Sequence, residues 1–228
     1  VVLSTMGYDQ WDHVDRWTRN QLAENQLTQV GWITDGRLDR SRSEIPAGYL
    51  KEGEYTTENV AERTLGGFAG WPAANDWIGA EDWWGDNKHQ ILSTIMNCCT
   101  GGGARALFAV WRDMIEYDEG RLKIHLLMNR ASKWADVDSH VPYTGRVDIR
   151  IKRKLNLEIR IPEWVQPDDV TITVNGKPRE LEFDGRYAKV GRVRKGHVAV
   201  MTFPIHERTE KRTIEGFDYT FIVRGNDV

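Results

Sequence analysis

Cysteine is nearly absent from this chain: 228 residues hold two, and they are neighbours, Cys98 and Cys99. Adjacent thiols cannot tie distant segments together, because a bridge between them closes a small strained ring, so the fold does not rest on a disulfide framework. The pair is free, oxidised locally or bound to metal. Long apolar runs are missing too, and no stretch approaches the roughly 20 residues that a membrane-spanning helix needs. An excess of positive charge is also lacking. With a formal charge of −3 and a pI near 6.1, the chain is unsuited to binding by neutralisation of nucleic-acid phosphates. Neither a nucleic acid nor a membrane is expected as a partner. The sequence begins Val-Val-Leu-Ser, without an initiator Met or the regions of a signal peptide, and reads as a piece of a longer protein. Compartment and oligomeric state are not legible in it. Hydrophobic residues make up 40% and charged residues 29%, which suits a soluble globular protein with one large core or two smaller ones.

Tryptophan, by contrast, is abundant: ten residues, seven of them before Cys98. Indole faces stack on the apolar faces of sugar rings as readily as they fill cores, so the enrichment permits a carbohydrate site. Asp9 to Leu27 reads as a helix, capped by Asp9, with Trp11, Val14 and Trp17 on one face. From Thr28 to Tyr55 no period holds, a length at which irregular segments are usually functional or pack on a part of the protein that is missing. Thr57 to about Phe68 reads as a shorter helix. The segment from Gly70 to Asn87 reads as an irregular loop in which Trp71, Trp77, Trp83 and Trp84 alternate with carboxylates, as in sugar sites.

The cysteine pair runs into Thr100-Gly101-Gly102-Gly103, followed by Ala104, Leu107, Phe108, Trp111, Met114 and Ile115 at the spacing of one helical face. That spacing puts the pair just before a helix N-terminus, where the dipole and unpaired N–H groups favour the thiolate, the form that attacks carbon or binds metal. After Gly120 the period changes from helix to strand. Leu122, Ile124, Leu126 and Met128 alternate, then Val147, Ile149 and Ile151, then Leu155, Leu157, Ile159 and Ile161, then Val170, Ile172 and Val174. Asn175-Gly176 signals a hairpin and Lys154 a corner. With further strands at about 186–192, 196–203 and 217–223, this part is most simply a β-sandwich.

Several motifs together resemble glycoside hydrolase family 127, typified by β-L-arabinofuranosidases. They are Asn97-Cys-Cys-Thr-Gly-Gly-Gly-Ala-Arg-Ala-Leu107, Arg19-Asn-Gln-Leu-Ala-Glu-Asn-Gln-Leu27, Leu127-Met-Asn-Arg-Ala-Ser132, Asp138-Ser-His-Val-Pro-Tyr-Thr-Gly145, and Arg160-Ile-Pro-Glu-Trp164 with Val174-Asn-Gly176. The resemblance implies an α+β multidomain protein. Residues 1–119 would hold the last helices of a catalytic (α/α)6 barrel, and 120–228 a β-sandwich. It also implies a retaining glycosidase with Cys98 as the nucleophile and Cys99 as a zinc ligand, Cys98 lying within reach of the same metal. Trp77, Trp83, Trp84 and Arg105 are the candidate substrate-binding residues, and a carbohydrate is the expected partner. The acid/base is unassigned, with Glu81 and Asp82 the nearest carboxylates in sequence. The chain departs from the family in lacking a third cysteine and a Glu-x-Cys element, which would complete the zinc ligands, and in having Thr100-Gly101 where other members have a Pro-containing continuation.

Blander readings stand beside these. Free cysteine is among the most often buried residues, and without the resemblance the pair would be read as packing. Gly101 to Gly103 follow no strand and precede no Lys-Ser or Lys-Thr, so a phosphate loop is excluded in favour of a turn that lets backbone approach closely. His89 and His125 match no compact zinc spacing. Arg105 is as readily half of a structural ion pair. Residues 121–228 could serve as a carbohydrate-binding or packing module without activity, and the vicinal thiols as a redox sensor.

Overall fold

The computed structural model describes residues 1–30, 59, 62–68, 97–214 and 216–228, without the side chains of 97–99. They divide into two compact units, Val1–Arg19 with Phe108–Val228, and Asn20–Leu107.

The first unit is dominated by strands. In chain order they are β1 (Ile115–Asp118), β2 (Arg121–Ile124), β3 (Arg130–Ala131), β4 (Ala135–Ser139), β5 (Arg146–Ile151), β6 (Leu155–Arg160), β7 (Thr171–Val174), β8 (Lys177–Pro178), β9 (Glu182–Asp184), β10 (Tyr187–Val193), β11 (Val198–Thr202), β12 (Glu207–Ile214) and β13 (Phe217–Arg224). One sheet runs β1-β2-β6-β10-β9, a second β3-β4-β5-β11-β7-β8, and β12 pairs with β13 alone. The alternating residues do what period-2 patterning requires. Leu122, Ile124, Leu157, Ile159 and Val193 of the first sheet, and Val147, Ile149, Ile172 and Met201 of the second, are at most 1% exposed. Their burial is the main favourable term for this unit. Asn175 and Gly176 both take positive φ, 51° and 75°, the geometry of a tight hairpin turn, and Val174 pairs with Lys177 across it. The corner at Lys154 carries the chain from β5 in one sheet to β6 in the other, where β6 lies parallel to β2.

The first strand begins at Ile115, ahead of the alternation that starts at Leu122. Met114 and Ile115, expected on a helical face, are instead buried at the strand entry. β4 and β12 also lie beyond the strands the pattern indicates.

Helix α1 spans Val2–Thr5 and α2 spans Trp11–Trp17, followed by a π-helical turn, Thr18–Leu22. The regular helix is therefore much shorter than Asp9 to Leu27, and Gln10 rather than Asp9 is the cap residue. Its buried side differs as well. Trp17 is exposed, whereas Trp11, Asp12, Asp15 and Thr18 are buried. These four follow i, i+1, i+4 and i+7 spacing, so one helical face carries one aromatic ring and two carboxylates.

Helix α3 spans Asn97–Asp113. Cys98, Cys99 and all three glycines lie inside it, not ahead of it. In the second unit, Leu27 N–H donates to the Gly67 carbonyl and Gly66 N–H to the Leu27 carbonyl, both at 2.8 Å. The Thr100 hydroxyl donates to the Phe68 carbonyl at 3.0 Å. Gly103 is there for space and not for a turn: a Cβ on it would stand 2.5 Å from Phe68 Cγ. Of the helix expected up to Phe68, a 3-10 turn at Glu62–Thr64 is described.

Candidate functional site

Backbone geometry puts Cys98 and Cys99 in the first turn of α3, where N–H groups lack intrahelical partners and the dipole is positive. The side chains of both lie outside the described residues, as do Trp77, Trp83, Trp84, Glu81, Asp82 and His89. Arg105, two turns further along α3, is exposed. Among the described residues no group of three His, Cys, Asp or Glu could hold a metal ion. Structural zinc takes four ligands, and the two cysteines alone do not complete such a set.

The helical face that follows is exposed at Leu107, Phe108 and Trp111. Trp111 is partly covered by Arg130, whose guanidinium lies 3.6 Å from the ring centroid and whose Nε donates to the Trp111 carbonyl at 2.9 Å.

A densely connected polar site, invisible to motif reading, lies where α2 meets the outer face of the first sheet. The β2 alternation places Lys123 and His125 on that face, and Arg160 and Tyr187 emerge on it from β6 and β10, directly opposite each other. Arg160 is 2% exposed. Its Nη1 lies 2.6 Å from Asp12 Oδ2, while Nε and Nη2 each donate to Asp9 at 3.0 Å. Asp12 Oδ1 accepts from Glu163 N–H at 3.1 Å and from the Asn226 amide at 3.2 Å, and the same amide donates to Asp15 at 2.9 Å. Arg19 Nε donates to Asp15 at 2.9 Å and Nη2 to the Leu127 carbonyl at 3.1 Å. Burial raises the Asp15 pKa above the ordinary carboxylate value, against the pull of Arg19. The carboxylates are paired with Arg160 and Arg19, as buried ion pairs must be if they are not to cost several kcal/mol, but Asp12 Oδ2 has only its ion-pair contact with Arg160 and no hydrogen bond of good geometry.

His125 forms the aromatic end of this site. Its ring stacks on Trp11 with centroids 4.5 Å apart and planes 5° from parallel. Nδ1 lies 2.6 Å from the Tyr187 hydroxyl and Nε2 3.2 Å from Glu116 Oε2. A neutral ring with hydrogen on Nε2 satisfies both contacts, with Tyr187 donating and Glu116 accepting. Burial pushes the His125 pKa down to about 4, outweighing the Glu116 carboxylate, which raises it. Burial likewise lifts Tyr187 above its ordinary value. The space left among Trp11, Asp12, His125, Arg160 and Trp164 is ≈ 10 Å³, about one water molecule. This is a structural clamp and not a ligand site. Its sequence signal was the spacing of Asp12, Asp15 and Arg19, which puts charge on the same helical side as Trp11.

Farther along the same outer face lies an open hollow of ≈ 710 Å³, lined by Arg121, Asn156, Glu158, Glu180, Glu182 and Lys189 among others. Lys123, Glu158, Lys189 and Glu182 stand opposite one another across four strands, so charge alternates along the row. Such a surface can hydrogen-bond hydroxyl groups, but the residues lining it include no aromatic platform.

Two sheets that exchange the chain between them and each bury every second residue define the class, a β-sandwich module. Residues 122–205 match the family model described as β-L-arabinofuranosidase, GH127 middle domain. That segment is therefore similar to the middle domain of glycoside hydrolase family 127 proteins. Similar solved structures include a glycoside hydrolase with 20% identity and a TM-score of 0.45, matched over 57% of this chain and 24% of that one. Another is a GH127 β-L-arabinofuranosidase from Geobacillus stearothermophilus T6, with 16% identity, a TM-score of 0.44, and 72% and 29% of the two chains covered. A GH127 β-arabinofuranosidase matches with 16% identity, a TM-score of 0.45, and coverage of 57% and 25%. The chain thus spans about a quarter of the length of these structures. No curated protein matches it. Among the described residues, no helix is long and apolar enough to cross a membrane.

Proposed function

We propose that this chain is part of a retaining glycosidase of the β-L-arabinofuranosidase type, acting on a carbohydrate through Cys98. The observation that supports this reading is the vicinal pair in the first turn of α3, followed in the same chain by the segment 122–205 that matches the GH127 middle-domain model. Residues 1–119 then contribute the final helices of an (α/α)6 barrel to the catalytic part, and 120–228 the sandwich.

In this mechanism the Cys98 thiolate, favoured by the helix N-terminus, attacks the anomeric carbon. A carbon–sulfur bond forms as the glycosidic carbon–oxygen bond breaks, and a carboxylic acid protonates the leaving oxygen. Water then attacks the same carbon, giving its proton to the resulting carboxylate, and the thiolate departs. Two displacements at one carbon retain its configuration. Trp77, Trp83 and Trp84 would stack on sugar faces, and Arg105 would hold a hydroxyl. Cys99 would face zinc, whose part in this chemistry is to hold sulfur as thiolate. Among the described residues no donor set completes a zinc site, so no step is derived through the metal.

The test is covalent labelling of the 228-residue chain by an electrophilic arabinofuranose mimic, read by peptide mass spectrometry. Cys98 should carry the label, and Cys98→Ala should abolish it while Cys99→Ala leaves the labelled position unchanged. Labelling that survives Cys98→Ala would remove Cys98 from the role. No labelling of the parent chain would leave the second reading, a carbohydrate-binding or packing module without activity, which is favoured by the polar hollow on the first sheet.

A further inference from the structure

β12 and β13 form a two-stranded ribbon outside both main sheets, and most of its residues are exposed. Their register pairs Ile214 with Phe217, Arg212 with Tyr219, Glu210 with Phe221 and Arg208 with Val223. One face therefore carries Ile214, Phe217, Tyr219, Phe221 and Val223 together with Arg208, Glu210 and Arg212. Isolated ribbons of this kind are marginally stable in water. The two outer edges are not equivalent. After β13 the chain turns back so that Arg224 and Asp227 exchange both backbone hydrogen bonds, at 2.9 and 3.0 Å, which closes that end of the β13 edge. Among the described residues no strand or backbone bond occupies the outer edge of β12.

We propose that this edge of β12 pairs with the β12 of a second copy of the chain, antiparallel and centred on Thr209, to give a dimer with a continuous four-stranded sheet. The argument is charge complementarity. A twofold axis that joins two identical antiparallel strands stands perpendicular to the sheet, and the residue on the axis meets itself. Directly opposed like charges are destabilising and opposed unlike charges stabilising. β12 reads Glu207-Arg208-Thr209-Glu210-Lys211-Arg212-Thr213-Ile214. Centring on Glu207, Arg208, Glu210, Lys211 or Arg212 brings a charge onto itself. Thr213 leaves a single strand residue beyond it. Thr209 alone is uncharged with at least two strand residues on either side. In that register Glu207 faces Lys211 of the other copy and Arg208 faces Glu210, and the symmetry repeats both pairs. Every charge from 207 to 211 then meets its opposite.

Charged edge strands ordinarily discourage pairing. This one discourages every symmetric register of useful length except one. Within a single chain Glu210 already accepts from Arg208 Nε at 2.9 Å and from Arg212 Nη2 at 3.1 Å, so the second copy extends an alternating row across the interface. The pairing also places the apolar residues of both ribbons on the same side of the joined sheet, with Phe221 and Val223 one strand away from the seam, opposite Glu210 and Arg208.

Sedimentation velocity of the 228-residue chain from low micromolar to near-millimolar concentration tests the proposal. A reversible dimer that weakens at high salt is expected. Arg208→Glu and Glu210→Arg each put like charges opposite one another and should weaken it about tenfold or more. An equimolar mixture of the two variants should dimerise, because two carboxylates of one then face two guanidiniums of the other. That rescue also shows that neither variant failed through misfolding. A parent chain that stays monomeric, a dimer indifferent to both reversals, or a mixture that does not associate overturns it.

Discussion

Acid should loosen the clamp between α2 and the sandwich through His125, by an amount the structure allows to be worked out. The ring is enclosed by Trp11, Tyr187 and Glu116, with Lys123 and Arg160 close enough to oppose a positive charge on it. Its pKa falls to about 4 in the folded chain, from 6.5 when free, chiefly because burial penalises the charged form. Between these values the unfolded chain binds the proton and the folded chain does not, so stability declines as pH falls from about 6.5 and the full loss is reached below about 4. The difference corresponds to about 3 kcal/mol. Urea unfolding followed by far-ultraviolet circular dichroism at about pH 7 and about pH 4 measures it. Groups elsewhere contribute to the same window. Asp136 and Glu210 are held below the ordinary carboxylate range by hydrogen bonds from Lys152 and Arg208, so they also cost stability in acid, whereas Asp15 acts in the opposite direction. These groups are common to parent and His125→Gln, and cancel when the two are compared. The parent should lose about 3 kcal/mol more than the variant over this interval. Equal losses would refute the account of a neutral, buried ring.

Two further substitutions probe the packing. Arg160→Ala strips the buried Asp12 carboxylate of its cation and should cost about 3–5 kcal/mol, with Asp12→Asn recovering part of the loss in the double variant; a cost below about 1 kcal/mol in denaturant titration would contradict the clamp. Gly145→Ala builds a Cβ only 1.8 Å from the Phe203 carbonyl oxygen, so the segment beside β5 must give way. A loss of about 2–3 kcal/mol is expected, and an unchanged melting temperature would show that the close approach is not maintained.

The sandwich was legible wherever a strand has one wet and one dry face. Val147, Ile149 and Ile151 in β5 and Leu155, Leu157 and Ile159 in β6 are buried at every second position, and the pattern of residue types follows. β12 was not legible, because nearly all of its residues meet solvent and no alternation is selected. The buried side of α2 misled for a different reason. Periodicity arguments count apolar residues, and the contacts that hold this helix are an ion pair, two carboxylates sharing an asparagine amide, and one stacked ring. At α3 the three glycines read as a break in the chain, yet intrinsic propensity is a weak prior, and Gly103 is occupied by the close approach of Phe68. The run that leads from the cysteines into the helix drew attention to Cys98, whose role as nucleophile remains a proposal because its side chain lies outside the described residues.

The polar underside of α2 bears on how the protein can be made. Asp9 is joined to Arg160 across 151 residues, and Asp12 to Asn226 across 214. At about 5–20 residues per second of synthesis, α2 waits roughly 8–30 s for its first partner. An apolar face would spend that interval exposed and prone to association. Carboxylates remain comfortably hydrated until Arg160 is delivered, so the helix is a soluble passenger on the nascent chain and docks only once the sheet that receives it exists.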